Sequence, residues 1–236
     1  MANPVLLNNV EHKDLKVITT RSPAYGDNVM FAVTFPAEFR NLQAHYPIVF
    51  RKTGDGVSFE ALALLGFQDG ENLFLSDQGW DAPVIPLTVA RHPFLIGVAG
   101  EEMMVNIDLD NPRVSSTDGE PLFLPHGGNT EYMEQATSIL LEIHQGLQTM
   151  SPFVAALLEH SLLESFSVDI ELADGSQNRL GGYYTIHEEN LMALSGEALE
   201  RFAKSGYLHA IYMVIASMSN FTVLVERKTR ANAAHR

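Results

Sequence analysis

Residues 205–225 contain no Asp, Glu, Lys or Arg. A segment of that length and composition has to leave water, into a lipid bilayer or into the protein's own core. A transmembrane helix needs about 20 predominantly apolar residues, and Glu226-Arg227-Lys228 follows at once as a charged flank. His209, Ser217, Ser219 and Asn220 interrupt the run, and Gly206 stands near its start. They favour burial, as in a helix-plus-strand segment of a core, so no membrane span is expected. The opening residues Met1–Asp14 have neither a basic region nor a sustained apolar one, so no secretory signal is expected and the cytoplasm is the expected location.

The rest of the chain divides by period. Up to about residue 109, short apolar or β-branched runs alternate with turn residues. Strands are expected at Leu15–Thr19, Val29–Thr34, Pro47–Lys52, Val57–Gly66 and Asn72–Leu75, and again at Phe94–Ala99 and Met103–Leu109 around Gly100-Glu101-Glu102. Thr53-Gly54-Asp55-Gly56 makes a hairpin of the third and fourth, because its glycines permit positive φ. With Asn72–Leu75 added, a β-meander is expected. Phe35-Pro36 opens a short helix carrying Phe39 and Leu42, and another is expected from Pro86 to Arg91. Asp110–Glu120 reads as a surface loop.

From Asn129 onward, Met133, Ala136, Leu140, Ile143, Leu147 and Met150 recur at helical spacing. Ser151-Pro152 is expected to cap and restart a second helix bearing Phe153, Ala156, Leu157 and Leu163. The period then changes to two: Phe166, Val168, Ile170 and Leu172 alternate with polar residues, as a half-buried strand requires. Asp174-Gly175 turns it into a partner around Leu180–Ile186. Two helices close the chain, one after Ser195 and one holding Tyr207, Ile211, Val214 and Met218 on one face. The expectation is therefore α+β: a β-rich N-terminal half of meander and hairpins, packed with a mostly helical C-terminal half containing one further hairpin. No linker or repeat divides residues 1–236, so a single domain is expected, with a basic tail at about 226–236.

Net charge excludes one class of partner. The chain carries 15 Lys+Arg against 29 Asp+Glu, net −14. A body this acidic repels phosphate backbones, so nucleic acid is not an expected ligand. The plain reading of the acidity is solubility, with a cationic partner as the sharper alternative; a protein or peptide partner is expected, and self-association is left open. The chain has no cysteine, which removes disulfides, thiolate metal sites and cysteine nucleophiles together.

Nucleotide-binding glycine motifs, the nucleophile-elbow motif and the His-Glu-x-x-His motif are all missing from the sequence. A non-heme iron(II) site would need two histidines and a carboxylate. His12-x-Asp14 and His187-x-Glu189 are the two candidate pairs, with a strand-entry histidine and a helix cap as their structural alternatives. His126-Gly127-Gly128-Asn129 precedes a helix N-terminus, where backbone N–H groups can hold an anion or the glycines can simply admit the chain to the helix. Trp80, Tyr46 and His126 are the candidate pocket residues, although aromatic side chains beside strands are more often core.

Phrases along the chain resemble the bacterial SapC family. They are Glu11-His12-Lys13-Asp14-Leu15-Lys16-Val17, Tyr46-Pro47-Ile48-Val49-Phe50, Leu64-Leu65-Gly66-Phe67 with Glu71-Asn72-Leu73-Phe74, Gly79-Trp80, Ile85-Pro86, Arg91-His92-Pro93-Phe94, Leu194-Ser195-Gly196, and Ile211-Tyr212 with Ser217-Met218-Ser219-Asn220-Phe221. The resemblance runs from about residue 8 to residue 222. It implies a surface-array-associated name without an established activity, and genes near modifying enzymes and outer-membrane receptors. It transfers no catalytic residue. The expected function is a non-catalytic binding or accessory protein, serving a neighbouring modifying enzyme or uptake system, with no cofactor. The alternatives are a metal-dependent enzyme using iron(II) at one of the His-x-Asp/Glu pairs, and a surface-layer component.

Overall fold

The computed structural model describes residues 3–54, 56–99, 102–171 and 177–234. The chain is α+β and groups into two compact units. One comprises Met1–Asn28, Leu75–Asp81 and Leu87–Gln145, the other Val29–Phe74, Ala82–Pro86 and Gly146–Arg236.

In the first unit, the strands Pro4–Leu6, Glu102–Asp108 and Phe94–Ala99 form an antiparallel sheet with Glu102–Asp108 in the centre. The expected pair is present, and its Gly100-Glu101 turn lies outside the described residues. The expected strand Leu15–Thr19 shrinks to Lys16–Val17, paired on both sides with Val114–Ser115 and Glu120–Pro121. The segment expected as an open loop, Asp110–Glu120, is therefore tied down by main-chain bonds. Gly119 makes the return possible, with φ of +105° and Val17 O only 2.3 Å from where a Cβ would stand. The helix Glu131–Gln148 lays Met133, Ala136 and Leu140 on Val17, Phe94, Ile107 and Leu122, so the 3–4 stripe buries as its spacing demands.

The second unit is built on a five-stranded antiparallel sheet in the order Leu163–Glu171, Gln177–Ile186, Ile48–Lys52, Phe59–Leu64, Phe31–Thr34. The expected hairpin of Ile48–Lys52 and Phe59–Leu64 lies within it, and Asp55 of its turn is outside the described residues. The third partner is Phe31–Thr34, not Asn72–Leu75. Residues 72–74 instead fold as a turn, in which Asn72 Oδ1 accepts the Phe74 N–H at 3.0 Å and Leu73 N–H donates to Leu65 O at 2.8 Å, and Leu75 starts a separate two-residue strand. The period-two strand is present with its partner and carries a register shift between Phe166 and Val168. Its Asp174-Gly175 turn lies outside the described residues.

Helix boundaries follow local chemistry. Phe39–Leu42 buries both expected apolar side chains. Met150–Glu159 starts before Ser151, leaving Pro152 in the first turn, where a missing N–H is harmless. Leu163 belongs to the following strand. Ser195 caps Gly196–Lys204 by accepting the Ala198 N–H at 3.2 Å, and Gly206 at φ +78° follows that helix. The uncharged run becomes Tyr207–Ser217 and the first turns of Asn220–Ala234, with Ile211, Val214, Ser217 and Leu224 fully buried. By length and composition alone, the helical stretch Tyr207–Ala233 is long and apolar enough to cross a membrane, and a third of its apolar window is buried in the protein.

Residues 226–234 are helical and not a free tail. Lys228 is 7% exposed and pairs with Glu71 at 2.5 Å, while Arg227 stacks on Phe74 at 4.4 Å. Glu71 Oε2 also accepts the Phe67 N–H at 2.8 Å, so one carboxylate joins the last helix to the 66–71 turn. Gly146 lies against Phe35, whose Cδ2 would stand 2.2 Å from an added Cβ, and Phe35 is itself fully buried. Its neighbour Leu147, expected on the apolar stripe, stays 41% exposed.

Two outcomes follow for stability. Gly146→Ala overpacks the Phe35 contact and should cost about 1–3 kcal/mol by urea midpoint, whereas Gly181→Ala, with open space at its Cβ, should stay within about 0.5 kcal/mol of the parent. Lys228→Met leaves Glu71 without its cation and should cost about 3–5 kcal/mol. Adding Glu71→Gln should restore most of that loss, and a double variant no more stable than Lys228→Met would show that the pair is not what the last helix relies on.

Candidate functional site

Among the described residues, neither His-x-Asp/Glu pair gathers a third ligand into a metal site. His12 is buried, and its Nδ1 accepts the Asn8 N–H at 3.2 Å, closing the turn 8–12. Asp14 is exposed. His187 is the cap of the short helix Glu188–Met192, with Nδ1 accepting the Asn190 N–H at 3.4 Å, and Glu189 is exposed in that helix's first turn. Among the described residues, no three His, Asp or Glu side chains come together as metal ligands. Tyr46 is fully buried in the second unit, where its hydroxyl donates to Val84 O and its ring meets Phe74 edge-on at 4.7 Å. Trp80 and His126 belong to the first unit, Trp80 half-buried in the hairpin Leu75–Ser76/Gly79–Trp80 and His126 exposed before the positive-φ pair Gly127-Gly128.

What the fold does assemble, within the first unit, is a knot of arginines around one carboxylate. Asp27 is 2% exposed at its side chain. Its Oδ1 accepts from Arg21 Nη1 at 3.2 Å, and its Oδ2 accepts from Arg113 Nη2 at 2.5 Å and from the Ser22 N–H at 2.8 Å. Arg113, only 1% exposed, also donates from Nη1 to Ile18 O and Thr20 O at 2.8 and 2.9 Å, and stands 5.4 Å over the Tyr25 ring. Arg21 reaches the carbonyls that end the turn Leu87–Ala90, donating to Val89 O and Ala90 O at 3.3 Å each. Arg91 follows directly and gives one Nη1 bond to Phe94 O at 2.8 Å.

Position in the fold explains the convergence. The Arg113 main chain is held by Ile18 N–H at 2.9 Å and by the Asn111 side chain at 3.0 Å, which fixes its side chain beside residues 18–20. His92 and Tyr132 border the cluster. Burial pushes the His92 imidazole down to about 4, reinforced by Arg91, Arg113 and Arg21 and opposed by Asp27. Burial likewise pushes the Tyr132 phenol up to about 12, opposed by Arg21 and Arg113 and helped by Glu120. At neutral pH the cluster thus holds three guanidiniums, one carboxylate, a neutral imidazole and an un-ionised phenol.

Sequence pattern missed this group because its members are scattered along the chain from Arg21 to Arg113. The one local signal was Arg91-His92-Pro93-Phe94, which the fold brings to the knot.

His92 has a consequence for acid stability. Its folded pKa lies below the ordinary value of 6.5, so between that value and about 4 the unfolded chain binds the extra proton and stability falls as pH falls. The parent should therefore lose urea stability more steeply from pH 7 to pH 4.5 than His92→Gln does. Parallel profiles would mean that His92 titrates normally.

The SapC family model matches residues 7–224, a span that holds the whole arginine knot and reaches into both units. No curated protein and no solved structure matches the chain. With the family model covering nearly its full length, this chain belongs to the SapC family.

Proposed function

We propose that the protein is a non-catalytic binding protein with an accessory role, and that the arginine knot of the first unit is its recognition element. The observation that carries this reading is geometric: Arg21 and Arg113 are held on Asp27 and on main-chain carbonyls, and the ionisation of two neighbouring groups agrees with it. A general acid or base works best with a pKa near the operating pH. His92 is held near 4 and Tyr132 near 12, so each keeps one protonation state throughout the neutral range. Such groups offer fixed hydrogen-bond donors and acceptors, which suits holding a ligand and not transferring its protons. The guanidiniums of Arg21 and Arg113 are likewise pinned to main-chain carbonyls, so the site is pre-organised before any ligand arrives.

Incubation of the purified protein with a small-molecule extract of bacterial cells tests the reading. Compounds retained by the immobilised protein should elute with unchanged mass, in amounts no greater than the protein present. Turnover of any extract component into a new mass, beyond one equivalent of protein, would make the protein an enzyme and end this proposal.

A further inference from the structure

Charge in the knot does not balance. Among the described residues, Asp27 is the only carboxylate within ion-pair distance of Arg21 or Arg113, and Arg91 has none. Arg91 is half-buried, and burial alone pulls its pKa down, with no acid opposing. Its free N–H groups are not buried without partners, so they face solvent and are open to an anion. Arg91 uses one N–H on Phe94 O and has the rest of its fork uncommitted. Arg113 adds a second incomplete group, since its Nε is buried without a hydrogen-bond partner in a side chain that is 99% removed from solvent. In a chain of net −14, a local excess of two positive charges is a reversal of the prevailing sign.

We propose that the first unit binds a small oxyanion, the carboxylate or phosphate of a metabolite, and that the Arg91 guanidinium is its principal contact. The assignment rests on the binding reading above and names its ligand class. The planar guanidinium fork matches two oxygens of such a group and forms short charge-assisted bonds to it. Arg21 borders the site and adds long-range attraction, while Arg113, committed to Asp27 and two carbonyls, acts as a positioning residue that holds the field positive. The His92 ring, next in the chain to Arg91 and neutral, has one donor and one acceptor nitrogen.

Isothermal titration with sulfate and with malonate, against chloride at equal ionic strength, tests the assignment; sulfate and malonate present the tetrahedral and the planar oxyanion respectively. At least one should bind where chloride does not, and the tighter of the two names the group. Arg91→Gln, which gives up one side-chain bond, should weaken that binding by about tenfold or more. Arg91→Lys, keeping the charge without the fork, should fall between the two and serves as the reading if the glutamine variant misfolds. No heat with either anion, or equal affinity in parent and Arg91→Lys, would overturn the oxyanion assignment. That failure is separable from failure of the binding reading, which turns on chemical conversion in the extract experiment.

Discussion

Asp27 accepts hydrogen bonds from two arginines and one main-chain N–H while almost wholly withdrawn from water, and the first unit is organised around that arrangement. Removing a carboxylate and a guanidinium from solvent costs several kcal/mol per ion on the order-of-magnitude scale for such groups. The attraction between them offsets that cost only when the remaining donors and acceptors are satisfied too. Here the second nitrogen of Arg113 takes the carbonyls of Ile18 and Thr20, and Arg21 takes those of Val89 and Ala90. Three stretches of chain far apart in sequence are thereby joined: residues 18–27, the end of Leu87–Ala90 and the strand at Val114. None of these stretches has enough regular structure to hold itself, since their strands are two residues long and their helix one turn. The polar knot does for them what apolar packing does under the helix Glu131–Gln148.

That division also explains what could be read from sequence. Where a long element buries one face, periodicity suffices: the stripe of Met133, Ala136 and Leu140 and the Phe166 strand were legible because their patterns are set by helix and strand geometry alone. Leu147 broke the pattern because Gly146 turns toward Phe35, a contact between positions 111 residues apart that no local window contains. Asn72–Leu75 looked like a strand by composition, yet Asn72 competes for its own backbone by accepting the Phe74 N–H. The basic residues after 226 looked like a solvated tail because nothing local reveals that Glu71 waits for Lys228. The candidate site was illegible for the same reason. Arginines at 21 and 113 are unremarkable singly, and the pairing of Lys16–Val17 with Val114–Ser115 helps bring both to one carboxylate. Histidine-spacing motifs, by contrast, are local, and His12 and His187 turn out to close a turn and cap a helix.

The acidity of the chain and the positive knot are compatible because they act over different distances. Screening at physiological ionic strength confines the influence of an exposed charge to about 8 Å, so the many surface carboxylates shape what approaches the molecule more than what is held inside it. A long polyanion would have to lie across that negative surface and is repelled along its whole length. A small oxyanion presents one or two charges and meets the opposing field only briefly before the half-buried Arg91, where lower local dielectric strengthens each contact. Under the proposed oxyanion binding, the surface charge would act as a filter on ligand size and the knot as the selector of ligand charge. Raising ionic strength weakens the filter as well as the attraction, so the two effects on association of a small anion oppose each other, whereas for binding dominated by an exposed basic patch salt acts in one direction only.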